Sequence, residues 1–238
     1  MLFMRSLIFN LCFFIITPIF SVLVCLFRLL GYAPAWFWAK LWTRTTLYLA
    51  RYICGIHLRI EGKEHFPKQA CVVMAKHQSA FETIAMPYLI PPYAWILKRE
   101  LFYIPFFGWA LWAIGTIGIR RGNPREAIKQ VNHDGEKLLK QGKWVVIFPE
   151  GTRAALGQTG EYKAGGIVLA QQAHVGILPM AHNAATCWPK RGFIKKPGTI
   201  TIRFLPFIDA NNLAQRSRKE VLQQLQTDIE YHTRQLGG

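Results

Sequence analysis

The first pattern along the chain is a long apolar run near the N-terminus. Leu7 to Phe27 contains no charged residue, and a helix of this length just covers the ~20 residues that a bilayer core requires. A signal peptide would have a shorter apolar core and a small-x-small cleavage site, whereas this run leads into Arg28, Leu29 and Leu30. The pattern therefore predicts a segment that spans the membrane or re-enters it.

A second apolar segment, from Pro34 to about Cys54, combines aromatic residues with positive charge. Its cations fall on one stripe of a helix at ~100° per residue; they are Lys40, Arg44 and Arg51. Its tryptophans suit the headgroup level of a bilayer; they are Trp36, Trp38 and Trp42. We expect a helix lying in the membrane interface. The alternative is an ordinary amphipathic helix packed on the domain.

Beyond Arg59 the pattern changes to short apolar strands that alternate with helices. The predicted strands are Ala70 to Ala75, Ala94 to Leu97, Thr116 to Ile119, Trp144 to Phe148, Gly176 to Met180 and Thr199 to Phe204. This alternation predicts an α/β fold, a mixed sheet flanked by helices, preceded by the N-terminal membrane-associated helical segment. The predicted division is an anchoring region at 1–58 and one main domain at 59–238.

Two later segments have helical spacing. Asn123 can cap a helix, Pro124 suits its first turn, and the carboxylate of Glu126 can accept from the backbone N–H of the cap residue. A helix should therefore begin here and run to about Lys140. A last helix is predicted from about Leu213 to Leu236, with apolar residues at helical spacing and charged residues opposite.

The charge of the chain requires an anionic partner. Lys and Arg number 29 against 13 Asp and Glu, which gives a net charge of +16. Hydrophobic residues make up 51% of the chain, and this combination favours an anionic membrane or a phosphorylated substrate over nucleic acid, for which no recognition motif is present. The excess of cations after the first apolar run places the main domain on the cytoplasmic side. The cysteines show no metal-ligand spacing and are expected to be reduced thiols; they are Cys12, Cys25, Cys54, Cys71 and Cys187.

The best candidate for acid–base chemistry is His77, directly after a predicted strand. Glu82 follows it by five positions, a spacing that works if His77 lies in the strand-to-helix loop and Glu82 in the first turn of the helix. Glu82 can then accept from one imidazole nitrogen and leave the other free to take a proton. No serine lies in a G-x-S-x-G elbow, and Ser79 is too close in sequence to His77 to converge with it, so a covalent acyl-enzyme is unsupported.

A second candidate segment closes the strand that begins at Trp144. It reads Phe148-Pro149-Glu150-Gly151-Thr152-Arg153, and an open α/β sheet commonly presents ligand groups at such a strand end. Gly151 allows a close backbone approach, and Arg153 offers a bidentate fork for phosphate. Arg120 and Arg121 form a second basic group, and Lys163 is a third. Cations of this kind suit a phosphate monoester.

With these blocks, the chain resembles the glycerolipid acyltransferase family, the 1-acylglycerol-3-phosphate acyltransferases, from about Glu61 to Phe207. His77 to Glu82 resembles the family's His-x4-Asp, and Gly115 to Arg121 resembles its Gly-x5-Arg block. Phe148 to Arg153 matches its Phe-Pro-Glu-Gly-Thr-Arg block, and Leu178 to Asn183 its proline-containing fourth block. The blocks occur in the family's order.

The resemblance implies a role for each residue. His77 would be the general base and Glu82 its orienting partner, while Pro179 would lie near the acyl donor. The residues that would hold the phosphorylated acceptor are Gly115, Arg120, Arg121, Glu150, Gly151, Thr152, Arg153 and Lys163. Two departures stand out: Glu82 replaces the usual Asp, and Arg120 replaces an Asp that often precedes the block's arginine. The second adds positive charge beside the phosphate site.

The resemblance implies transfer of a fatty acyl group from acyl-CoA or acyl-carrier protein to the 2-hydroxyl of a lysophosphatidic acid, with no cofactor and no metal. The expected location is the cytoplasmic face of the inner membrane. Two alternatives remain open: another acceptor, such as glycerol 3-phosphate or a different lysolipid, and a non-catalytic membrane-surface lipid-binding protein. The aromatic segment from Leu101 to Trp112 could line an acyl groove, dip into lipid or be buried core.

Overall fold

One seven-stranded sheet organises the part of the chain that the structure describes. The computed structural model describes residues 1–120 and 124–238. Its strands are β1 (Ile56–Glu61), β2 (Val72–Ala75), β3 (Tyr93–Lys98), β4 (Ile117–Ile119), β5 (Trp144–Ile147), β6 (Ile177–His182) and β7 (Gly198–Phe204). They alternate with helices along the chain, so the predicted mixed α/β fold is confirmed.

The strand order across the sheet is β1-β7-β6-β2-β5-β3-β4. The five strands from β6 to β4 in this order run parallel to one another. β7 is antiparallel to β6 and pairs in parallel with β1. The parallel strands present their carboxyl ends at one edge of the sheet, which is where ligands bind in open α/β folds.

Helices cover both faces of the sheet. The longer helices are α1 (Leu2–Arg28), α2 (Tyr32–Cys54), α3 (Phe81–Leu89), α4 (Phe107–Ala113), α5 (Pro124–Lys140), α6 (Gly165–Gln172) and α9 (Arg218–Gln235), and the short ones are α7 (Ala184–Cys187) and α8 (Ala210–Ala214). Side chains alternate along β2, so Val73 faces the core shared with α1 to α4, and Val72 faces the core shared with α5, α6 and α9.

The N-terminal helices form an antiparallel hairpin held by aromatic contacts. The rings of Phe13 and Trp42 lie 6.0 Å apart, those of Phe20 and Trp38 lie 6.2 Å apart, and Trp42 Nε1 donates to Thr17 Oγ1 at 3.2 Å. In the described part of the chain, α1 is the one helix long and apolar enough to cross a membrane.

Both ends of α1 are bound to the main domain. Near its start, the backbone N–H of Lys195 donates to Ser6 Oγ at 2.9 Å. At its end, Arg28 Nε donates to the carbonyl oxygen of Ala113 at 2.9 Å. Phe9 is fully buried between them and packs edge-on against Trp188. The helix therefore lies along the domain from end to end and shares its core.

The prediction for the tryptophans of α2 was wrong in part. Trp36 and Trp42 are buried in the protein core, so they do not reach a headgroup layer. Their positions on the inner side of α2 follow from the same helical spacing that leaves the cationic stripe exposed; that stripe is Lys40, Arg44 and Arg51.

Several boundaries differ from the prediction. β1 was missed, and the predicted domain boundary at residue 58 falls inside it. The single helix predicted from Leu213 is two helices, because Ser217 starts α9 with a capping box: its side chain accepts from the N–H of Glu220, whose carboxylate accepts from the N–H of Ser217. α5 begins at Pro124 and ends at Lys140 as predicted, while its proposed cap Asn123 lies outside the described residues.

Replacing Phe9 by Ala should lower the free energy of unfolding by about 3–5 kcal/mol, because it removes a fully buried ring that joins α1 to the domain. Chemical denaturation in detergent micelles measures this change. Phe14→Ala is the matched control on the same helix, since Phe14 is 72% exposed. Equal effects of the two changes would show that α1 is not part of the folded core.

Candidate active site

Two of the segments singled out from the sequence, together with Arg120, lie at one edge of the sheet. His77 follows β2 and the Phe148 to Arg153 block follows the neighbouring strand β5. Arg120 follows β4, which is three strand spacings from β2. At ~4.8 Å per spacing, Arg120 lies on the order of 14 Å across the edge from His77.

His77 is hydrogen-bonded to Glu82 with the geometry that the spacing predicted. The distance from His77 Nδ1 to Glu82 Oε1 is 2.9 Å, with His77 in the loop and Glu82 in the first turn of α3. The same oxygen accepts from the backbone N–H groups of Gln78 at 3.1 Å and Ser79 at 2.9 Å. A charged carboxylate only accepts, so Nδ1 carries the proton and Nε2 is free to act as a base.

Glu82 is fully buried yet charged. Burial favours its protonated form, but His182, His77 and the N–H of Ser79 outweigh burial and lower the pKa of Glu82. A buried negative charge beside the imidazole stabilises the imidazolium that forms when Nε2 takes a proton.

The ring and the carbonyl group of His77 have further contacts with the β5 loop. The imidazole stacks on Phe148, with ring centroids 3.9 Å apart and an interplanar angle of 16°. The carbonyl oxygen of His77 accepts from the N–H of Ala154 at 2.8 Å. The side chain of His77 is 15% exposed, which leaves an opening toward the base and little freedom for the ring.

A second histidine, His182 at the end of β6, fixes the peptide that precedes His77. Its Nε2 donates to the carbonyl oxygen of Lys76 at 2.8 Å, and its Nδ1 accepts from the N–H of Ala184 at 3.2 Å. Burial lowers the pKa of His182, consistent with a neutral ring that donates from one nitrogen and accepts at the other. His182 is buried and acts on the position of His77, not on the substrate.

Glu150 was predicted to hold the acceptor, but the structure places its carboxylate beneath His77. Its side chain is 1% exposed, and Oε1 accepts from the backbone N–H of His77 at 3.2 Å and lies 3.5 Å from Lys76 Nζ. Burial raises the pKa of Glu150 to about 7, although Lys76 and the N–H of His77 act in the opposite direction. Glu150 therefore supports the base from behind.

Lys76 connects this site to the C-terminal helix. Its fully buried ammonium donates to Glu230 Oε1 on α9 at 2.6 Å and to the carbonyl oxygen of Gln158 at 3.1 Å. Glu230 also accepts from Thr159 at 3.1 Å and from Tyr162 at 3.0 Å. This buried network is satisfied by charged and neutral partners together, as a buried charge requires.

Arg153 has the feature expected of a ligand-binding cation. Its Nε is buried and has no hydrogen-bond partner among the described residues, so a bound anion would satisfy it. Gly151 has φ +67°, and a β-carbon there would lie 3.9 Å from Lys163 Nζ. Thr152 and Lys163 are exposed. The structure thus brings these four residues together on the loop beside His77.

The remaining predicted residues are dispersed. Gly115 lies at the amino end of β4, where a β-carbon would be 4.0 Å from Lys143 Nζ, so its φ of +79° serves a turn at the edge away from His77. Pro179 is buried in β6 beside Met74 and lines no open surface. Arg120 is exposed at the site edge, and Arg121 lies outside the described residues.

Ser79 is committed to structure and not to nucleophilic attack. Its hydroxyl donates to the carbonyl oxygen of Trp188 at 2.5 Å and accepts from the N–H of Phe81 at 3.0 Å. It is fully buried. This agrees with the absence of a serine elbow in the sequence.

The aromatic segment from Leu101 to Trp112 divides between two environments. Phe107 and Leu111 line a small apolar cavity of about 40 Å³ between the N-terminal hairpin and the sheet. Tyr103, Trp109 and Trp112 are exposed, with Trp112 at 74%. The segment is therefore partly buried core and partly an exposed aromatic surface next to α1.

Sequence reasoning missed the residues that support His77 from within, namely Lys76, His182 and Glu230. A signal was present for each. Lys76 and His182 are polar residues directly at the ends of apolar strands, and Glu230 interrupts the apolar face of α9. Buried charges need partners, so these positions predict one another once the strands are known to be neighbours.

Comparison with known proteins agrees with this geometry. The family model described as Acyltransferase matches residues 57–183, a range that includes the edge from His77 to His182. The chain belongs to the acyltransferase family.

Among its relatives are enzymes named 1-acyl-sn-glycerol-3-phosphate acyltransferase, as the resemblance of the motifs predicted. The one from Pseudomonas aeruginosa is 43% identical over 182 residues, which are 76% of this chain and 71% of that protein. The alpha enzyme of Mus musculus is 34% identical over 71% of this chain, and the match spans 61% of its own length. The crystal structure of the 1-acyl-sn-glycerophosphate (LPA) acyltransferase PlsC from Thermotoga maritima has the same fold, with a TM-score of 0.81 over 99% of each chain at 18% identity.

The raised pKa of Glu150 predicts a pH-dependent stability. The folded state favours the protonated carboxyl, so this contribution is complete below the ordinary pKa of 4.5 and is lost as the pH rises through about 7. Relative to Glu150→Gln, the parent protein should lose roughly 3 kcal/mol of unfolding free energy over this window. Denaturation curves of both proteins between these pH values measure it, and parallel curves would contradict the prediction.

Proposed function

We propose that the chain transfers a fatty acyl group from acyl-CoA or acyl-carrier protein to the 2-hydroxyl of 1-acylglycerol 3-phosphate, making phosphatidic acid for phospholipid biosynthesis. The observation that carries the proposal is the pairing of His77 with buried Glu82 beside Arg153, whose Nε has no partner among the described residues. A base and an anion-binding group on adjacent loops suit a substrate with both a hydroxyl and a phosphate. The reaction needs no cofactor beyond the acyl thioester.

In the proposed mechanism, His77 acts directly on the acceptor. Nε2 takes the proton of the hydroxyl while that oxygen forms a bond to the carbonyl carbon of the thioester. The carbon–sulfur bond then breaks, and the departing thiolate takes up the proton from the imidazolium. Glu82 keeps Nδ1 protonated throughout. The occupied hydroxyl of Ser79 supports transfer without an acyl-enzyme.

The acceptor phosphate would lie over the loop that follows β5. Arg153 Nε has no partner among the described residues, and the ammonium of Lys163 lies close to the open backbone at Gly151. The nearest acid in sequence, Glu150, is buried and directed to Lys76, so it would not repel a phosphate at the surface. Arg120 lies farther along the edge and would add positive potential.

We place the enzyme on the cytoplasmic face of the inner membrane, with α1 lying along the lipid surface. α1 exposes a continuous apolar stripe of Met4, Ile8, Leu11, Ile15, Ile19, Val22 and Leu26. Because both its ends are hydrogen-bonded to the domain, we propose that α1 stays on the domain and buries this stripe in one leaflet. The exposed aromatic residues of α4 and the cations of α2 would add to an anionic membrane contact.

A different acceptor is the second candidate function, and Arg120 favours it. This arginine stands where the family often has an aspartate, so the charge near the acceptor differs from the usual pattern. Glycerol 3-phosphate or another lysolipid would use the same base and the same chemistry. A panel of acceptors assayed with one acyl thioester distinguishes these substrates. A non-catalytic lipid-binding role leaves the His77–Glu82 pair without a purpose.

Replacing His77 by Ala should lower acyl transfer to lysophosphatidic acid by about 10² to 10⁴ in kcat, because it removes the general base. The assay uses a labelled acyl thioester in detergent micelles. His133→Ala is the control, since His133 is exposed on α5, and it should retain parental activity. Activity of His77→Ala at the parental level, or an acyl-enzyme trapped during turnover, would refute the mechanism.

Replacing Arg153 by Lys should raise the KM for lysophosphatidic acid by about 10-fold or more while kcat changes little, because a charge-assisted hydrogen bond to phosphate is lost. Steady-state kinetics in micelles separate the two constants. Arg218→Lys is the matched control, since Arg218 is exposed at the start of α9. An unchanged KM would place the phosphate elsewhere.

A further inference from the structure

We propose that the loop at residues 189–197 is a second membrane-docking element, which binds an anionic lipid surface beside the N-terminal end of α1. This loop joins α7 to β7, two strand positions from β2 and His77, and none of its residues takes part in the proposed mechanism. The inference rests on the membrane location proposed above and adds to it a specific contact and a preference for lipid charge.

The composition of the loop suits an anionic interface. It reads Pro189-Lys190-Arg191-Gly192-Phe193-Ile194-Lys195-Lys196-Pro197, with two cations on each side of an apolar pair. No aspartate or glutamate occurs anywhere between Glu161 and Asp209. Basic residues that flank a protruding apolar tip combine electrostatic attraction to anionic lipid with burial of apolar surface.

The shape of the loop exposes this tip. The N–H of Gly192 donates to the carbonyl oxygen of Pro189 at 3.1 Å, which closes a tight turn. A β-carbon at Gly192 would lie 2.3 Å from Pro189 Cγ, so the turn requires glycine. Beyond the turn, Phe193 is 44% exposed and Ile194 is 40% exposed. Two adjacent large apolar side chains are thus held in solvent by a defined turn.

Buried contacts fix the loop to α1. Lys195 is 4% exposed; its N–H donates to Ser6 Oγ, and its ammonium donates to Asn10 Oδ1 at 2.8 Å. The same ammonium lies 4.9 Å from the ring of Trp188. Lys195 therefore points inward and sets the position of the loop, while Arg191 and Lys196 are exposed.

The tip continues the apolar surface of α1. The ring of Phe193 lies 5.3 Å from that of Phe3, which is itself 56% exposed at the start of the helix. At the other end of α1, Trp109 and Trp112 of α4 are exposed. One apolar surface thus extends from the loop along α1 to α4. A bilayer would contact both this apolar surface and the cations of the loop, whereas binding of a carrier protein would explain only the cations.

The direct test is a fluorescent label at Phe193→Cys in a Cys12→Ala, Cys25→Ala background, because the other three cysteines are buried. On vesicles of phosphatidylcholine and phosphatidylglycerol, quenchers carried on lipid tails should quench the label. Ile128→Cys is the matched control: Ile128 is 49% exposed, on α5 at the opposite face of the sheet. A label at 193 that stays in water while the protein is bound would overturn the proposal.

The charge requirement has its own test. Lys190→Gln with Arg191→Gln should weaken partitioning onto the same vesicles about 5-fold per cation, and less at high salt. The control pair is Lys129→Gln with Lys137→Gln on α5, which should have no effect. Equal behaviour of the two pairs would contradict an anionic lipid surface. Unchanged partitioning with a raised KM for acyl-carrier protein would assign the loop to the carrier protein instead.

Activity in neutral detergent micelles separates this inference from the proposed function. The loop variants should transfer acyl groups at the parental rate in micelles, where no anionic surface is needed. The parent protein could show no acyl transfer in micelles while the label at residue 193 still enters the bilayer of vesicles. The proposed reaction would then be wrong, and the proposed docking surface would be supported.

Discussion

The chemistry of this fold depends on one hydrogen bond between a nearly buried imidazole and a fully buried carboxylate. His77 Nδ1 lies 2.9 Å from Glu82 Oε1, and the loop before α3 supplies two more N–H donors, from Gln78 and Ser79, to the same oxygen. The imidazoles of His182 and His77 and the N–H of Ser79 hold the pKa of Glu82 below its usual range despite its burial, which favours the charged carboxylate. The charge in turn fixes the proton on Nδ1 and leaves Nε2 as a base. Without it, the ring would have neither a defined tautomer nor a stabilised imidazolium.

The parallel sheet positions the side chains that hold the backbone of His77 in place. β2, β5 and β6 end at the same edge, so His182 and Glu150 hydrogen-bond the carbonyl and the N–H of the one peptide group that joins Lys76 to His77. Lys76 extends the network to Glu230 on α9, which makes the C-terminal helix part of the support. The exposed cations Arg120 and Lys163 thus face solvent, whereas the acids Glu82 and Glu150 are buried beside His77.

Much of this could be predicted from the sequence, and the rest depends on strand order. The His77–Glu82 pair was predictable because its spacing joins a strand end to a helix start. Glu150 was assigned to the acceptor because a motif gives no direction to a side chain, and only the closeness of β5 to β2 turns it under His77. The place of Gly115 also depends on strand direction, since it precedes β4 and lies at the edge away from His77. Trp36 and Trp42 of α2 point inward because this helix packs on the domain. Apolar periodicity alone does not show whether an apolar helix face contacts protein or lipid.

The most direct test of the central claim is the protonation state of His77, measured by ¹⁵N NMR on protein labelled at histidine in detergent micelles, with His77→Gln used for assignment. The ring should be neutral, protonated at Nδ1 and unprotonated at Nε2, and it should lose this preference in Glu82→Gln. A ring protonated at Nε2, or a tautomer that does not respond to Glu82→Gln, would contradict it.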